Sequence, residues 1–296
     1  MRPVQLRKKR RTGRTIALVA AAVLAVAVLL LGIFAGMRVL SGDSPFPQLG
    51  SERLSANDQA ATYESPYNWE NLDRSGGRYV FRIDGQVKSR LGVDVSENQG
   101  DIDWNQVAGD GIEFAIIRVG YRGTSTGSLN LDAYYEDNIA GARAAGLDCG
   151  VYFFSQATSV EEAREEANFV LEHLRGVPLR YPVVYDCEEV AAGAGASRTA
   201  GMSKDELTAC AKAFCEQIEV AGYRAMIYGN TNDLSRYNVR ELANYPLWYA
   251  EYGMPTPTVR LDFTMWQYSN GGEVAGIPAM VDLNIDLSEA YRASGR

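Results

Sequence analysis

Tyr181-Pro-Val-Val-Tyr-Asp-Cys-Glu188 ends a short apolar run on two carboxylates. Proline can open a strand, so Pro182 starts one, and Val183, Val184 and Tyr185 read as its buried body. Side chains alternate along a strand, which points Asp186 and Glu188 the same way with Cα atoms roughly 7 Å apart. Two acids at the end of a buried strand are costly unless they are solvated, paired or used. Paired carboxyls in opposed environments, one protonated and one ionised, are what glycoside hydrolysis needs. The competing reading is a pair of solvated acids.

Outward from this stretch, short apolar runs alternate with helical ones. Strands are predicted at residues 92–96, 113–119, 149–154, 182–188, 224–229, 247–251, 263–268 and 280–285. Helices are predicted at 103–110, 131–145, 160–174 and 203–221. Asp132 and Gly146 suit the two ends of the second helix, and Ser203-Lys-Asp-Glu206 has the capping-box pattern. After the fifth strand the connections become too short for full helices. The pattern is α/β: a (β/α) barrel of about eight strands with reduced helices in its second half. Asp94 then lies in the first strand, Asp186 and Glu188 end the fourth, and Asp282 lies in the eighth, beside the first. Strand ends converge at the C-terminal face of such barrels, where their chemistry sits.

The segment before the barrel reads differently. Residues 1–14 are a basic tail, and residues 15–38 hold the uncharged run Ile16–Met37, long enough to cross a hydrocarbon core of about 30 Å. The flanking arginines and lysines predict a transmembrane signal anchor, single-pass, with the N-terminus cytoplasmic and the barrel extracellular. A cleaved signal peptide is the competitor, but its apolar region is shorter and ends at a small-residue site. Residues 39–65 read as a linker. Residues 66–90 read as a small β-hairpin brace turning at Asp84-Gly85, and 91–296 as the catalytic barrel.

Composition excludes several functions. Residues 1–40 hold eight Lys/Arg and no acid, leaving 21 of the 29 basic residues against all 37 acidic ones, a net charge of −16. Nucleic acid is a poor partner for that charge. The single histidine, His173, rules out a Ser-His-Asp triad or a histidine-rich zinc site, and neither metal nor cofactor is expected. Cys149, Cys187, Cys210 and Cys215 leave both a disulfide from Cys187 to Cys210 or Cys215 and plain buried thiols open.

The sequence resembles the family-25 glycoside hydrolases, the lysozymes or muramidases, over about residues 91–290. The likeness is carried by Gly92-Val-Asp-Val-Ser-Glu-Asn-Gln-Gly100, Ile102-Asp-Trp104, Phe114-Ala-Ile-Ile-Arg-Val-Gly120, Tyr152-Phe-Phe and Tyr185-Asp-Cys-Glu188. It continues through Ile227-Tyr228, Leu247-Trp-Tyr-Ala250, Met265-Trp-Gln-Tyr268 and Val281-Asp-Leu-Asn284. The resemblance implies an irregular, flattened barrel and cleavage of the β-1,4 bond after N-acetylmuramic acid in peptidoglycan glycan strands. It implies Glu188 as general acid, and Asp186 as the ionised partner in a substrate-assisted retaining mechanism. Asp94 and Asp282 become supporting acids, with Tyr152, Tyr228, Trp248, Trp266 and Gln267 as substrate contacts. Many members carry His where this chain has Asn98. A non-catalytic glycan-binding module and a hydrolase of another N-acetylhexosamine polymer are the alternatives.

Overall fold

In the computed structural model, residues 63–190 and 197–295 are described. Twelve strands follow in order: β1 (Leu72–Asp73), β2 (Val80–Ile83), β3 (Gln86–Val87), β4 (Arg90–Val95), β5 (Phe114–Arg122), β6 (Leu129–Leu131), β7 (Asp148–Phe154), β8 (Val183–Asp186), β9 (Ala225–Gly229), β10 (Leu247–Ala250), β11 (Met265–Gly272) and β12 (Val281–Asp286). The α-helices are α1 (Trp104–Gly109), α2 (Tyr135–Ala144), α3 (Val160–His173), α4 (Lys204–Val220), α5 (Thr231–Ser235) and α6 (Ser288–Ala293).

Eight strands close into a barrel in the cyclic order β4-β5-β7-β8-β9-β10-β11-β12, with β6 appended to β5. Neighbours from β4 round to β11 are parallel. The last strand departs from that rule, because β12 runs antiparallel to both β11 and β4. Only residues 273–280 link β11 to β12, too few for the crossover a parallel return needs.

Alternation sorts the strand residues. Val93, Ala115, Ile117, Val151, Phe153, Val183, Tyr185 and Ile227 face outward into the main core under the helices. Phe114, Ile116, Val184, Met226, Tyr228, Trp248 and Met265 fill the barrel interior. Gly92 shares that inward face. A Cβ there would sit 2.3 Å from the Phe114 ring, which itself stacks on Tyr181 at 4.3 Å and plugs the floor.

Where crossover helices are missing, another element covers the wall. β1, β2 and β3 form a small antiparallel sheet whose tight turn puts Asp84 and Gly85 at φ 50° and 76°. Tyr67, Trp69 and Tyr79, in and before this sheet, meet Phe263, Trp266 and Tyr268 of the barrel wall, and Phe81 packs against Tyr67 and Trp69. Tyr79 stacks on Tyr268 at 4.3 Å, and Trp69 stacks on Phe263 at 6.2 Å. The buried Tyr67 hydroxyl donates to the Phe263 carbonyl.

Two expectations are corrected. The membrane-spanning helix over residues 15–38 is not found: no helix among the described residues is long and apolar enough to cross a membrane. The longest, α4, has 17 residues and carries Lys, Asp and Glu along its length. Residues 15–38, with the basic tail and all but the end of the linker, lie outside the described residues. The membrane is therefore withdrawn as partner and as location, and the fold of the described residues is a closed barrel with mixed helices. Second, Asp132 does not cap α2, which starts at Tyr135 after an N-cap without a side-chain bond. It is buried beneath Arg118 at 2.7 Å, where its Oδ2 also accepts the Glu97 N–H, and its Oδ1 accepts the N–H of Tyr134 at 2.9 Å in the turn that leads into the helix. Of the two readings open for the cysteines, the structure takes the buried thiol: all four are free and buried, and no disulfide joins Cys187 to Cys210 or Cys215.

A second buried ion pair sets the turn after β7. Arg122 donates to Glu166 at 2.8 Å, and Glu166 accepts the Ser155 hydroxyl at 2.6 Å and the Gln156 N–H at 3.3 Å. Burial nonetheless pushes the Glu166 carboxyl up to about 7. Arg122→Leu would strand that acid without its cation and is expected to cost about 3–5 kcal/mol at pH 8. Denaturant unfolding should show the loss shrinking at pH 5, where Glu166 takes up a proton.

Candidate active site

The upper rim of the barrel gathers carboxyl groups from opposite strand directions. Asp94 lies near the C-terminal end of β4, and Asp186 is the last residue of β8. Glu188 follows two residues beyond the strand, so the turn rather than the ladder carries it. Asp282 is second in β12, at the start of its strand, and reaches the same rim because β12 runs backwards. It lies directly opposite Asp94 in the ladder.

The acids form two contacting pairs. Asp94 accepts Gln267 Nε2 at 2.8 Å and Asn284 Nδ2 at 2.7 Å, and it shares a hydrogen bond with Asp282. Burial still raises its pKa against these three lowering contacts. Burial, repulsion by Asp94 and their shared bond push Asp282 up to about 8, so Asp282 holds the proton and Asp94 the charge. Asp186 and Glu188 share the other hydrogen bond. Burial and repulsion from Asp233 push Glu188 up to about 7, against the pull of its bond to Asp186. Asp186 is 5% exposed, and burial followed by repulsion from Glu188, Asp233 and Asp94 raises it well above the ordinary carboxylate value. The resemblance implies an ionised Asp186. In the free protein burial raises both carboxyls of the pair, so Asp186 too favours its protonated form.

Asp186 Oδ1 is buried and has no hydrogen-bond partner. Gln156 Nε2 donates to the Glu188 carbonyl at 3.2 Å, which ties the acid-bearing turn to the Arg122–Glu166 pair.

A polar chain runs beneath the acids. Trp248 Nε1 donates to Asn284 Oδ1 at 2.8 Å, Asn284 donates to Asp94, and Gln267 donates to Asp94 from the other side. Gln267 Oε1 accepts the hydroxyls of Tyr228 at 2.9 Å and Tyr252 at 2.6 Å. Tyr152 is half-buried beside Arg118, which sits between Asp132 and Glu97.

The structure thus brings Asp94, Asp186, Glu188, Asp282, Tyr152, Tyr228 and Gln267 to one rim, and it separates Trp266 from them. Trp266 is fully buried on the outer wall, within 6.1 Å of Trp69 and 5.4 Å of Tyr79, and donates to the Glu251 carbonyl. Adjacent strand residues face opposite ways, so Gln267 at the rim puts Trp266 behind it. Trp248 is 2% exposed, with Tyr228 edge-on at 4.7 Å, and supports Asn284 from within the interior rather than offering a face to a sugar. Four residues went unassigned in the sequence. Arg118 and Asn284 were signalled by polarity at inward positions of apolar strands. Tyr252 extends the parity of Trp248 and Ala250 past the strand end. Asp233 reads only as a helix-cap acid.

These protonation states predict a pH effect on stability. In an unfolded chain Glu188 and Asp282 ionise near pH 4, whereas folded they hold protons to about 7 and 8. Stability from these groups is complete below the unfolded values and is lost as pH rises through the folded ones. Asp282→Asn is expected to flatten the fall in Tm between pH 5 and 8 and to raise Tm at pH 8 by roughly 5 °C. Thermal melts across that range check it.

The sequence profile of glycosyl hydrolases family 25 matches residues 93–277. The chain is 28% identical over 204 residues to the autolytic lysozyme of Clostridium acetobutylicum, covering 69% of this chain and 57% of that one. A bacterial lysozyme structure from Streptomyces coelicolor aligns with a TM-score of 0.54 and 27% identity, over 66% of this chain and 90% of that one. The modular autolysin LytC of Streptococcus pneumoniae aligns with a TM-score of 0.59 over 73% of this chain and 52% of its own, at 21% identity, a likeness of fold alone. The chain thus spans little more than half the length of two of these proteins. Since the matching profile runs from the strand that carries Asp94, through Asp186 and Glu188, past Gln267, the chain belongs to glycosyl hydrolases family 25, a class of enzymes that hydrolyse glycosidic bonds.

Proposed function

We propose that this protein is a peptidoglycan hydrolase of lysozyme type. It cleaves the β-1,4 bond between N-acetylmuramic acid and N-acetylglucosamine with retention, assisted by the substrate's own acetamido group. The observation that carries the reading is the Asp186–Glu188 pair: one exposed enough to exchange a proton near pH 7, the other buried with an unpartnered Oδ1. Glu188 gives its proton to the glycosidic oxygen as the C1–O bond breaks. The acetamido oxygen attacks C1 and forms an oxazolinium ring. Its N–H donates to Asp186 Oδ1, which favours the ionised form of Asp186 once substrate is bound. Water then opens the ring at C1, and the Glu188 carboxylate takes the proton that water loses.

Inversion would need Asp282 as an ionised base, and a carboxyl raised to about 8 fits that poorly at neutral pH. The test is digestion of purified peptidoglycan, borohydride reduction and mass spectrometry. Reduced N-acetylmuramic acid ends support the assignment. Reduced N-acetylglucosamine ends would move the cleaved bond, and wall binding without products would leave a glycan-binding module.

A further inference from the structure

The backbone carbonyls of Asp186 and Glu188 are both held from one place, the residues that follow β7. The Ser155 N–H donates to the Asp186 carbonyl at 2.6 Å, one residue past the end of β7. The ladder between β7 and β8 stops at Asp186. A parallel ladder would place its next rung between the Ala157 N–H and the Glu188 carbonyl. The chain has already turned away: the Ala157 N–H donates to Ser155 Oγ at 3.3 Å, and the Gln156 N–H donates to Glu166 at 3.3 Å. The fully buried side chain of Gln156 stands in for the missing rung, and its Nε2 donates to the Glu188 carbonyl at 3.2 Å.

The other end of the same amide is anchored. Gln156 Oε1 accepts the Ser197 hydroxyl at 2.8 Å and the Arg198 N–H at 2.9 Å. Arg198 Nη1 donates back to the Gln156 carbonyl at 2.8 Å, and Nη2 pairs with Glu162 of α3 at 2.8 Å. Resting on the reading of Glu188 as general acid, we propose that Gln156 is a positioning residue for it: the amide replaces the absent backbone rung and fixes where the Glu188 carboxyl sits. A loop-closing role explains the bonds to Ser197 and Arg198. It does not explain an amide N–H spent on the carbonyl of the acid itself. Glu188 lies beyond β8, so the ladder does not set its direction. A displacement of about 1 Å in a reacting group costs on the order of a hundredfold in rate.

Gln156→Met keeps the side-chain volume and removes the amide. In the full-length protein it is expected to lower kcat on peptidoglycan by about tenfold to a hundredfold, with KM changed by less than about twofold. Without substrate, carbon-13 NMR should show the Glu188 carboxyl titrating at least about half a pH unit lower. Burial is the main cause that raises it to about 7, and a released turn lets water in. The titratable groups that bear on Glu188 are Asp186 of β8, Asp94 of β4, Asp282 of β12, Asp233 of α5, Tyr228 of β9 and Tyr252 after β10, and the variant alters none of them. Asp282 should still titrate near 8. Gln156→Asn keeps an amide but is one methylene too short to span from Ser197 to Glu188. It should move both readouts the same way by less, and it decides the matter if the methionine variant does not fold. An unmoved Glu188 titration in a folded variant overturns the proposal and leaves Gln156 a loop closure. A loss carried by KM overturns it too, as does a fall of Asp282 in step with Glu188, which marks general loosening of the rim. Because the titration is read without substrate, it speaks to Gln156 even if Glu188→Gln retains activity and the catalytic assignment itself fails.

Discussion

Glu188→Gln is expected to abolish release of reducing ends from peptidoglycan, a loss of about 10²–10⁴-fold in kcat, while the protein becomes more stable at pH 8. Glutamine matches glutamate in volume and keeps an acceptor toward Asp186, so the rim does not need to repack. It cannot give a proton to a leaving oxygen. It also removes one ionisable group from a cluster of five buried or half-buried carboxyls, each of which repels the others once ionised. The stability of wild type falls as pH rises through about 7, and the variant lacks that component. Activity and melting temperature should therefore move in opposite directions, a signature that misfolding does not produce. Wild-type rates in a folded variant would sink the assignment of Glu188.

Removing residues 63–89 is expected to have the largest effect on the fold. The barrel wall formed by β10, β11 and the segment before β11 has no crossover helix. Trp266 is fully buried and Phe263 is 2% exposed, with Tyr67, Trp69, Tyr79 and Phe81 packed against them or against one another. Each large aromatic truncated in such a place costs about 3–5 kcal/mol, comparable with a large share of a domain's total stability. The truncated barrel would present that aromatic wall to water and is expected to aggregate or fail to melt cooperatively. Phe81→Ala, 1% exposed in the wild type, is the graded version, and denaturant unfolding should show a loss of about 3–5 kcal/mol. A truncated protein as stable as the whole would show that the brace is ornamental. The family profile begins at residue 93, so this dependence lies outside what the matched segment contains.

The barrel was readable because its strands are short, apolar and alternating. All eight barrel strands lie within a few residues of their predicted positions, and inward acids at strand ends mark one rim. The direction of β12 was not readable, because alternation looks the same in either direction and only the short link from β11 constrains it. Alternation also forbids Trp266 and Gln267 from sharing a face. The resemblance names both as contacts, and the structure places Gln267, not Trp266, beside Asp94. Asp94, Asp186 and Asp282 stand out as acids in apolar strands. Arg118 and Asn284 carry the same signal more quietly, and Asp233 carries none, since its burial depends on the approach of α5 to the turn after β8. The hydropathy of residues 16–37 led the sequence reading to a membrane helix, and the described structure holds none.

The closure of the barrel by its first and last strands also fixes when a working site can exist. Asn284 and Asp94 lie 190 residues apart, and that hydrogen bond can form only when the ribosome has released nearly all of the barrel. At roughly 5–20 residues per second, synthesis leaves β4 waiting about 10–40 s for β12, with one edge unpaired. Throughout that interval Asp94 lacks both Asn284 and the Asp282 proton. Folding of the rim is consequently a late, long-range event, slow in the way that distant strand pairing is slow. A nascent or truncated chain lacks the completed rim for the same reason that it is exposed to misassembly.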